Sequence, residues 1–374
     1  MRVVSVIPGG EAFHLEGGAI AVLMIHGFTG SPLSVRPWAQ ALNREGFTVR
    51  VPRLPGHART WEEMNRTRWH DWYEEVDRNF TELKEKHERV FVAGFSMGGA
   101  LSLRLASIRG QEIEGLILCN PSVSDPRLSL KLVPILQHFI PSLGGRGTDV
   151  AAPNPPHHSY GRTPLKALRS LQKLWTLVQR DLYLVDVPLM IGYSVNDHVV
   201  DPKNSEIVID NVSSVDIREV VFERSFHNVA LDYDAELLAE ESLNFMREVL
   251  TGAVTRDDTR DERDLIDAEF DAIVSGLSLD GSSPRTYLDE LEEFEDSDKY
   301  EGDNKALPKL TQVQRAALVG VIGGPAYMIM VQFFGIDVLG IGGWPGAIAL
   351  AAGITTFFWQ MRPDREIDDD GIAL

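Results

Sequence analysis

Cysteine is almost absent from this chain. Cys119 is the single one in 374 residues, so no internal disulfide forms and the fold must rest on its apolar core. Cys119 ends the run Gly115-Leu116-Ile117-Leu118-Cys119, the setting of a buried strand residue and not of a reactive thiol. A chain without disulfides fits a reducing compartment. Surplus positive charge is lacking too. The formal net charge is −19, which argues against nucleic-acid binding by bulk electrostatics. A secretory leader is not expected either, because Pro8, Gly9, Gly10, Glu11 and His14 break up the apolar stretch it would need.

What remains is a composition suited to a sizeable core, 44% hydrophobic and 24% charged, and three regions of different character. Residues 1–252 alternate short apolar strands with amphipathic helices. The strand candidates are 20–25, 47–51, 90–93, 116–119, 189–193 and 217–222; the helix candidates lie near 34–45, 69–87, 98–109, 165–180 and 234–250. Alternation at this spacing predicts βαβ units, and hence an α/β fold with a mainly parallel sheet covered by helices on both faces. Residues 120–185 break the rhythm with many prolines and apolar residues, which predicts a cap inserted over the mouth of the sheet.

Residues 253–310 are acidic. Between 255 and 304 there are 18 acidic and 5 basic residues, and this composition predicts a mostly disordered linker. Within it, Leu265, Ile266, Phe270, Ile273, Val274 and Leu277 recur at helical spacing. A short amphipathic helix near 262–279 is expected, docked on its own domain or open to a protein partner.

Residues 311–362 hold the long hydrophobic runs. The stretches 316–334 and 338–360 are nearly free of charge and are separated by a short turn at Gly335-Ile336-Asp337. Each has about the length that crosses the roughly 30 Å hydrocarbon layer, and Tyr327, Trp344 and Trp359 suit interfacial anchors. Two membrane spans in a hairpin are expected. Lys305, Lys309, Arg315, Arg362 and Arg365 flank the pair, so the positive-inside rule places both ends, and the domain before them, in the cytoplasm. A polar tail, 363–374, follows.

The chemistry is concentrated in Gly94-Phe95-Ser96-Met97-Gly98-Gly99, directly after the apolar run Val90–Ala93. A strand, a tight turn with serine at its tip and a helix form the G-x-S-x-G nucleophile elbow. A free serine hydroxyl is too weak a nucleophile at neutral pH. A histidine must take its proton, and a carboxylate must orient that histidine. In this architecture the acid and then the histidine follow the serine in sequence.

Five histidines follow Ser96. His138, His157 and His158 fall in the expected cap, and His198 adjoins the acid loop. His227 follows the last strand and precedes the last helix of the region, so it is the expected base. For the acid, Asp197 and Asp201 both follow the strand 189–193. Asp197 is favoured because it comes sooner after the strand. Asp201 precedes Pro202 and suits a cap for a helix starting near 203. The oxyanion hole needs two backbone N–H groups. One comes from Met97, after the nucleophile; the other comes from Phe28, in the loop His26-Gly27-Phe28-Thr29-Gly30 after an early strand. His26 precedes the nucleophile and is expected to be a structural hydrogen-bonding residue.

These residues, with Leu54-Pro55-Gly56-His57 and Asn196-Asp197-His198, resemble the α/β-hydrolase superfamily, and within it the bacterial carboxylesterase and monoacylglycerol lipase group. The likeness spans about residues 18–250. It implies a triad of Ser96, Asp197 and His227, an oxyanion hole at Phe28 and Met97, and no metal or other cofactor. The implied substrates are carboxylic esters of short to medium acyl chains, including monoacylglycerols, cleaved through an acyl-serine intermediate. The group ends near residue 250, so the acidic stretch and the hairpin depart from it. The same triad also serves thioesterases and acyltransferases, and a ligand-binding sensor without turnover would share the fold. Haloalkane dehalogenases and epoxide hydrolases need aspartate at the elbow, so Ser96 excludes them.

Overall fold

Residues Ala21–Ile25 are buried without a break, as are Leu116–Cys119. Strands without a polar alternation must be covered on both faces, which is the condition of a parallel sheet between helices. The structure is a computed structural model. It describes residues 6–145, 148–153, 160–253 and 342–360, with single residues and short runs between 313 and 331.

The first part of the chain runs β1 (Phe13–Leu15), β2 (Ile20–Ile25), α1 (Arg36–Arg44), β3 (Thr48–Val51), α2 (Trp61–Met64), α3 (Trp69–Lys84), β4 (Arg89–Phe95), α4 (Met97–Arg109) and β5 (Leu116–Cys119). The insertion follows, with α5 (Val133–Leu136), β6 (Ser142–Gly144), β7 (Arg162–Pro164) and α6 (Leu165–Asp181). Then come β8 (Leu189–Ser194), α7 (Lys203–Asn211), β9 (Ile217–Phe222) and α8 (Ala235–Thr251). The strands form a seven-stranded sheet in the order β1-β3-β2-β4-β5-β8-β9. Only β1 is antiparallel to its neighbour. The sequence gives no sign of β1, a three-residue edge strand that borrows its register from β3.

The register decides where the site falls. Ile25 pairs with Gly94, Phe95 with Cys119, Cys119 with Gly192 and Ser194 with Phe222. The carboxyl ends of five parallel strands are therefore level, and the loops after them share one edge, the usual place for a ligand in such sheets.

Helix α4 is buried on all sides from Met97 to Ala106. It lies against β4 and is covered by α3 and α6, so burial on every side is what its position requires. Arg104 on α4 is buried and meets the buried Asp181 of α6 over 2.5 Å. Such a pair is costly to break, because either charge alone would be left without compensation. The second half of the insertion thus returns to the body of the domain. On the other face, α1 and α8 pack together, and Trp38 Nε1 donates to Ser242 Oγ over 3.1 Å. The insertion itself carries a small antiparallel ladder, β6 with β7.

The chain divides into two compact units, Met1–Gly276 and Leu277–Leu374. In the second, α9 spans Trp344–Gln360. Two membrane spans are expected from the sequence, yet among the described residues no helix is long and apolar enough to cross a membrane. The 17 residues of α9 rise only about 26 Å at 1.5 Å each, against about 30 Å of hydrocarbon. Much of the stretch 316–341, the acidic stretch from 254 with its amphipathic segment 262–279, and the tail 363–374 lie outside the described residues.

Candidate active site

Ser96 stands between β4 and α4 with φ 56° and ψ −119°, a conformation that side-chain-bearing residues rarely adopt. Neighbours hold it there. Its N–H donates to the Cys119 carbonyl over 3.0 Å, and its own carbonyl accepts from Gly99 at 2.9 Å and Ser122 at 3.1 Å. The elbow also needs close packing. A Cβ on Gly98 would lie 2.7 Å from the Ile25 carbonyl carbon, so only glycine lets α4 start this near β2. The turn lifts the Ser96 hydroxyl off the sheet edge.

His227 comes from the loop after β9. Its Nε2 lies 3.0 Å from Ser96 Oγ, and its Nδ1 lies 2.6 Å from Asp197 Oδ2. The ring rests on Phe95, 4.9 Å between centroids. Asp197 comes from the loop after β8 and is almost fully enclosed, its side chain 1% exposed. Its second oxygen, Oδ1, accepts the backbone N–H groups of Val199 at 2.7 Å and Val200 at 2.8 Å. One carboxylate oxygen is spent on its own loop, and the other is left to face the histidine.

The structure brings Ser96, His227 and Asp197 together and sets Asp201 aside. The Asp201 carboxylate accepts from Lys203 N at 3.0 Å, and its carbonyl accepts from Asn204 N at 2.9 Å. It serves the start of α7. His198 pairs with Asp149 over 3.1 Å. His26 is fully buried, and its Nε2 accepts from Leu54 N at 3.2 Å, a structural role. Beside it His57 is wholly buried; burial first, then the nearby His26, hold its imidazole well below the ordinary histidine range. Cys119 is likewise buried. Loss of solvation, followed by the charge of Asp197, pushes its thiol well above the usual thiol range.

Ser96 opens into a pocket of about 350 Å³. Phe28 and Met97 line it beside Ser96 and His227. Leu143, Leu168, Leu171 and Trp175 of the insertion give it an apolar side, and Arg127 and Arg162 a polar one. Among the described residues no cluster of histidine, cysteine and carboxylate side chains suits a metal ion.

Several residues at the site carry little or no sequence signal. Asn120, at the end of β5, donates from Nδ2 to the His227 carbonyl over 2.6 Å. Its Oδ1 accepts from Ser194 N at 2.8 Å. The one hint is its place as the first polar residue after an apolar strand. Asp149 and Asp232 also bond to the backbone around His227. They lie in loops without periodicity, where the sequence does not distinguish one aspartate from another.

A family model described as serine aminopeptidase, S33 (Hydrolase_4) matches residues 19–234. The chain belongs to this family. Its members of known activity include close parallels to the whole hydrolase domain. A thermostable monoacylglycerol lipase of Bacillus sp. (strain H-257) is 36% identical over 242 residues, which is 64% of this chain and 95% of that protein. A carboxylesterase of Bacillus subtilis (strain 168) is 27% identical over 256 residues, 67% of this chain and 99% of that one. A solved structure from work on the metagenome-derived lipolytic enzymes LipS and LipT is 34% identical, with a TM-score of 0.64, and covers 65% of this chain and 100% of that one. The chain is a serine hydrolase of the lipase and esterase type, on an α/β-hydrolase fold.

Proposed function

We propose that Ser96, His227 and Asp197 act as a catalytic triad cleaving carboxylic esters of short to medium acyl chains, monoacylglycerols among them. The observation that carries this reading is the unbroken line from Asp197 Oδ2 to His227 Nδ1 at 2.6 Å and from His227 Nε2 to Ser96 Oγ at 3.0 Å. It ends in a pocket with an apolar side.

The chemistry follows from the geometry. His227 Nε2 takes the Ser96 proton as Oγ attacks the ester carbonyl carbon. Asp197 keeps the proton of His227 on Nδ1 and stabilises the imidazolium. The carbonyl oxygen becomes an oxyanion, and the N–H groups of Phe28 and Met97 stabilise it. As the intermediate collapses, the proton on Nε2 passes to the leaving alcohol, and the acyl group stays on Ser96. A water then gives its proton to His227 and attacks the acyl carbon. The carboxylic acid leaves, and Ser96 regains its proton. Leu143, Leu168, Leu171 and Trp175 suit the acyl chain. The similarity to a monoacylglycerol lipase supports a glycerol ester as one substrate.

We further propose that residues 311–362 form a helical hairpin that tethers the enzyme to the cytoplasmic face of a membrane. Its apolar sequence supports this, and so does close helix contact between described residues. A Cβ on Gly320 would lie 2.5 Å from the Ala349 carbonyl oxygen, and a Cβ on Gly324 would clash with the Gly346 carbonyl oxygen in the same way. Small residues four apart let membrane helices approach in this way. A segment somewhat shorter than the bilayer is accommodated by local thinning.

The decisive experiment incubates the full chain with a fluorophosphonate probe and assays a series of monoacylglycerols and p-nitrophenyl esters. Labelling of the wild type but not of Ser96→Ala is expected. Equal labelling of both would remove Ser96 from the mechanism. For the tether, the full chain should stay with membranes through alkaline carbonate, and a chain ending at residue 310 should not; release of both would refute it.

A further inference from the structure

The loop that carries His227 has no strand partner, and the insertion supplies part of its backbone hydrogen bonding. Three consecutive N–H groups are involved. Phe226 N donates to Asp232 Oδ2 at 2.8 Å. His227 N donates to Asp149 Oδ2 at 3.2 Å, and Asn228 N donates to the Asp149 carbonyl at 3.0 Å. Asp149 lies in the insertion, far from all of these in sequence. The same carboxylate reaches the acid loop: Oδ2 accepts from His198 N at 3.2 Å, and Oδ1 lies 3.1 Å from His198 Nδ1. His198 directly follows Asp197. The next residues of the insertion are fastened to the base loop as well, since Ala151 N and Ala152 N donate to the Asp232 carboxylate at 2.7 and 2.9 Å.

We propose that Asp149 is a positioning residue that sets the distance between the acid and the base from the insertion, so that the triad is assembled only while this segment is docked. The proposal rests on Ser96, His227 and Asp197 being the catalytic groups. The two loops also meet through Ser194 Oγ on the Ser225 carbonyl and Asn196 Nδ2 on the Glu223 carbonyl; the Asp149 carboxylate adds a tie at the residue next to the acid and at the base itself, His198 N and His227 N. A triad loses rate steeply with sub-ångström displacement, because His227 must align with Asp197 and Ser96 at once. Asp149 also lines the pocket, so an acyl ester entering there meets the segment that holds the base.

The chemistry of the clamp predicts an ordering of variants. Asp149→Asn keeps an acceptor for the two backbone N–H groups, and its amide can donate to His198 Nδ1 in the tautomer that accepts. Asp149→Ala leaves the two N–H groups without a partner. His198→Ala removes only the ring contact.

The test measures kcat and KM for a p-nitrophenyl ester with wild type, Asp149→Ala, Asp149→Asn and His198→Ala, together with the far-downfield proton resonance of the His227–Asp197 hydrogen bond. Asp149→Ala should lose about tenfold or more in kcat with KM changed less than about threefold, the pattern of a transition-state effect. Its downfield resonance should shift or broaden. Asp149→Asn and His198→Ala should stay within about threefold of wild type. Wild-type kcat and resonance in Asp149→Ala would overturn the proposal. So would a loss that vanishes when the assay is run well below the variant's melting transition, which would mark Asp149 as a stabilising residue only. A wild type that hydrolyses no ester and takes up no fluorophosphonate would instead refute the triad reading.

Discussion

Asn120 donates from its side chain to the carbonyl oxygen of His227 over 2.6 Å. Its other side-chain atom accepts from Ser194 N, three residues before Asp197. Asn120 itself has φ 45° and is buried. Asn120→Ala leaves a buried acceptor and a buried donor unpaired, at about 1–3 kcal/mol for each group. A lower denaturation midpoint and a reduced kcat are expected together. Unchanged values of both would show that water replaces the amide without loss.

The two candidate acids separate cleanly. Asp197→Asn disturbs the histidine tautomer and should lower kcat by roughly four orders of magnitude. Asp201→Asn touches only the start of α7 and should leave kcat within about threefold. Steady-state ester hydrolysis decides it, and the reverse ordering would reassign the acid.

Ser96 holds a strained backbone conformation. At φ 56° a side chain is strained, and glycine is not. Ser96→Gly should be more stable than Ser96→Ala by about 1 kcal/mol. Both should lose roughly four to six orders of magnitude in kcat. Paired denaturant titrations of the two inactive variants measure the strain, and equal midpoints would mean the turn is relaxed.

His57 should give the fold an acid limit. It is held neutral in the folded state, well below its ordinary value of 6.5, and gains a proton on unfolding below that pH. The unfolded state then binds more protons, so this contribution is intact above about pH 6.5 and falls away below it, by about 1.4 kcal/mol per pH unit. Unfolding free energies of wild type and His57→Gln between pH 7 and 5 should diverge in slope. Parallel slopes would show that His57 takes up its proton in the folded state as readily as in the unfolded one.

Cys119 should be inert in the folded protein. It is buried, and its thiol is pushed up by lost solvation, then by Asp197. Iodoacetamide at pH 8 should label it only after denaturation; labelling of native protein would reveal opening at the end of β5.

Much of this molecule is legible in its sequence. The runs Ile20–Ile25 and Leu116–Cys119 are apolar at every position because both faces are covered, and the elbow's glycines are spaced by the steric needs of one turn. Those local causes fixed the α/β architecture, Ser96, and the loops on which an acid and a base had to sit. Distance to a strand end favours Asp197 over Asp201, and the fold places Asp197 Oδ2 2.6 Å from His227 Nδ1. Tertiary structure decided the rest. β1 pairs only with β3, at the edge of the sheet, and α6 packs on α4 through buried residues such as Leu171, Leu174 and Val178, with Arg104 and Asp181 paired beside them. Asn120 and Asp149 matter through partners on other strands and loops, 107 residues away for Asn120 and His227 and 78 for Asp149 and His227. A single aspartate in an aperiodic loop has no local pattern to mark it. Its role comes from the level strand ends of a parallel sheet, which bring three loops far apart in sequence to one serine.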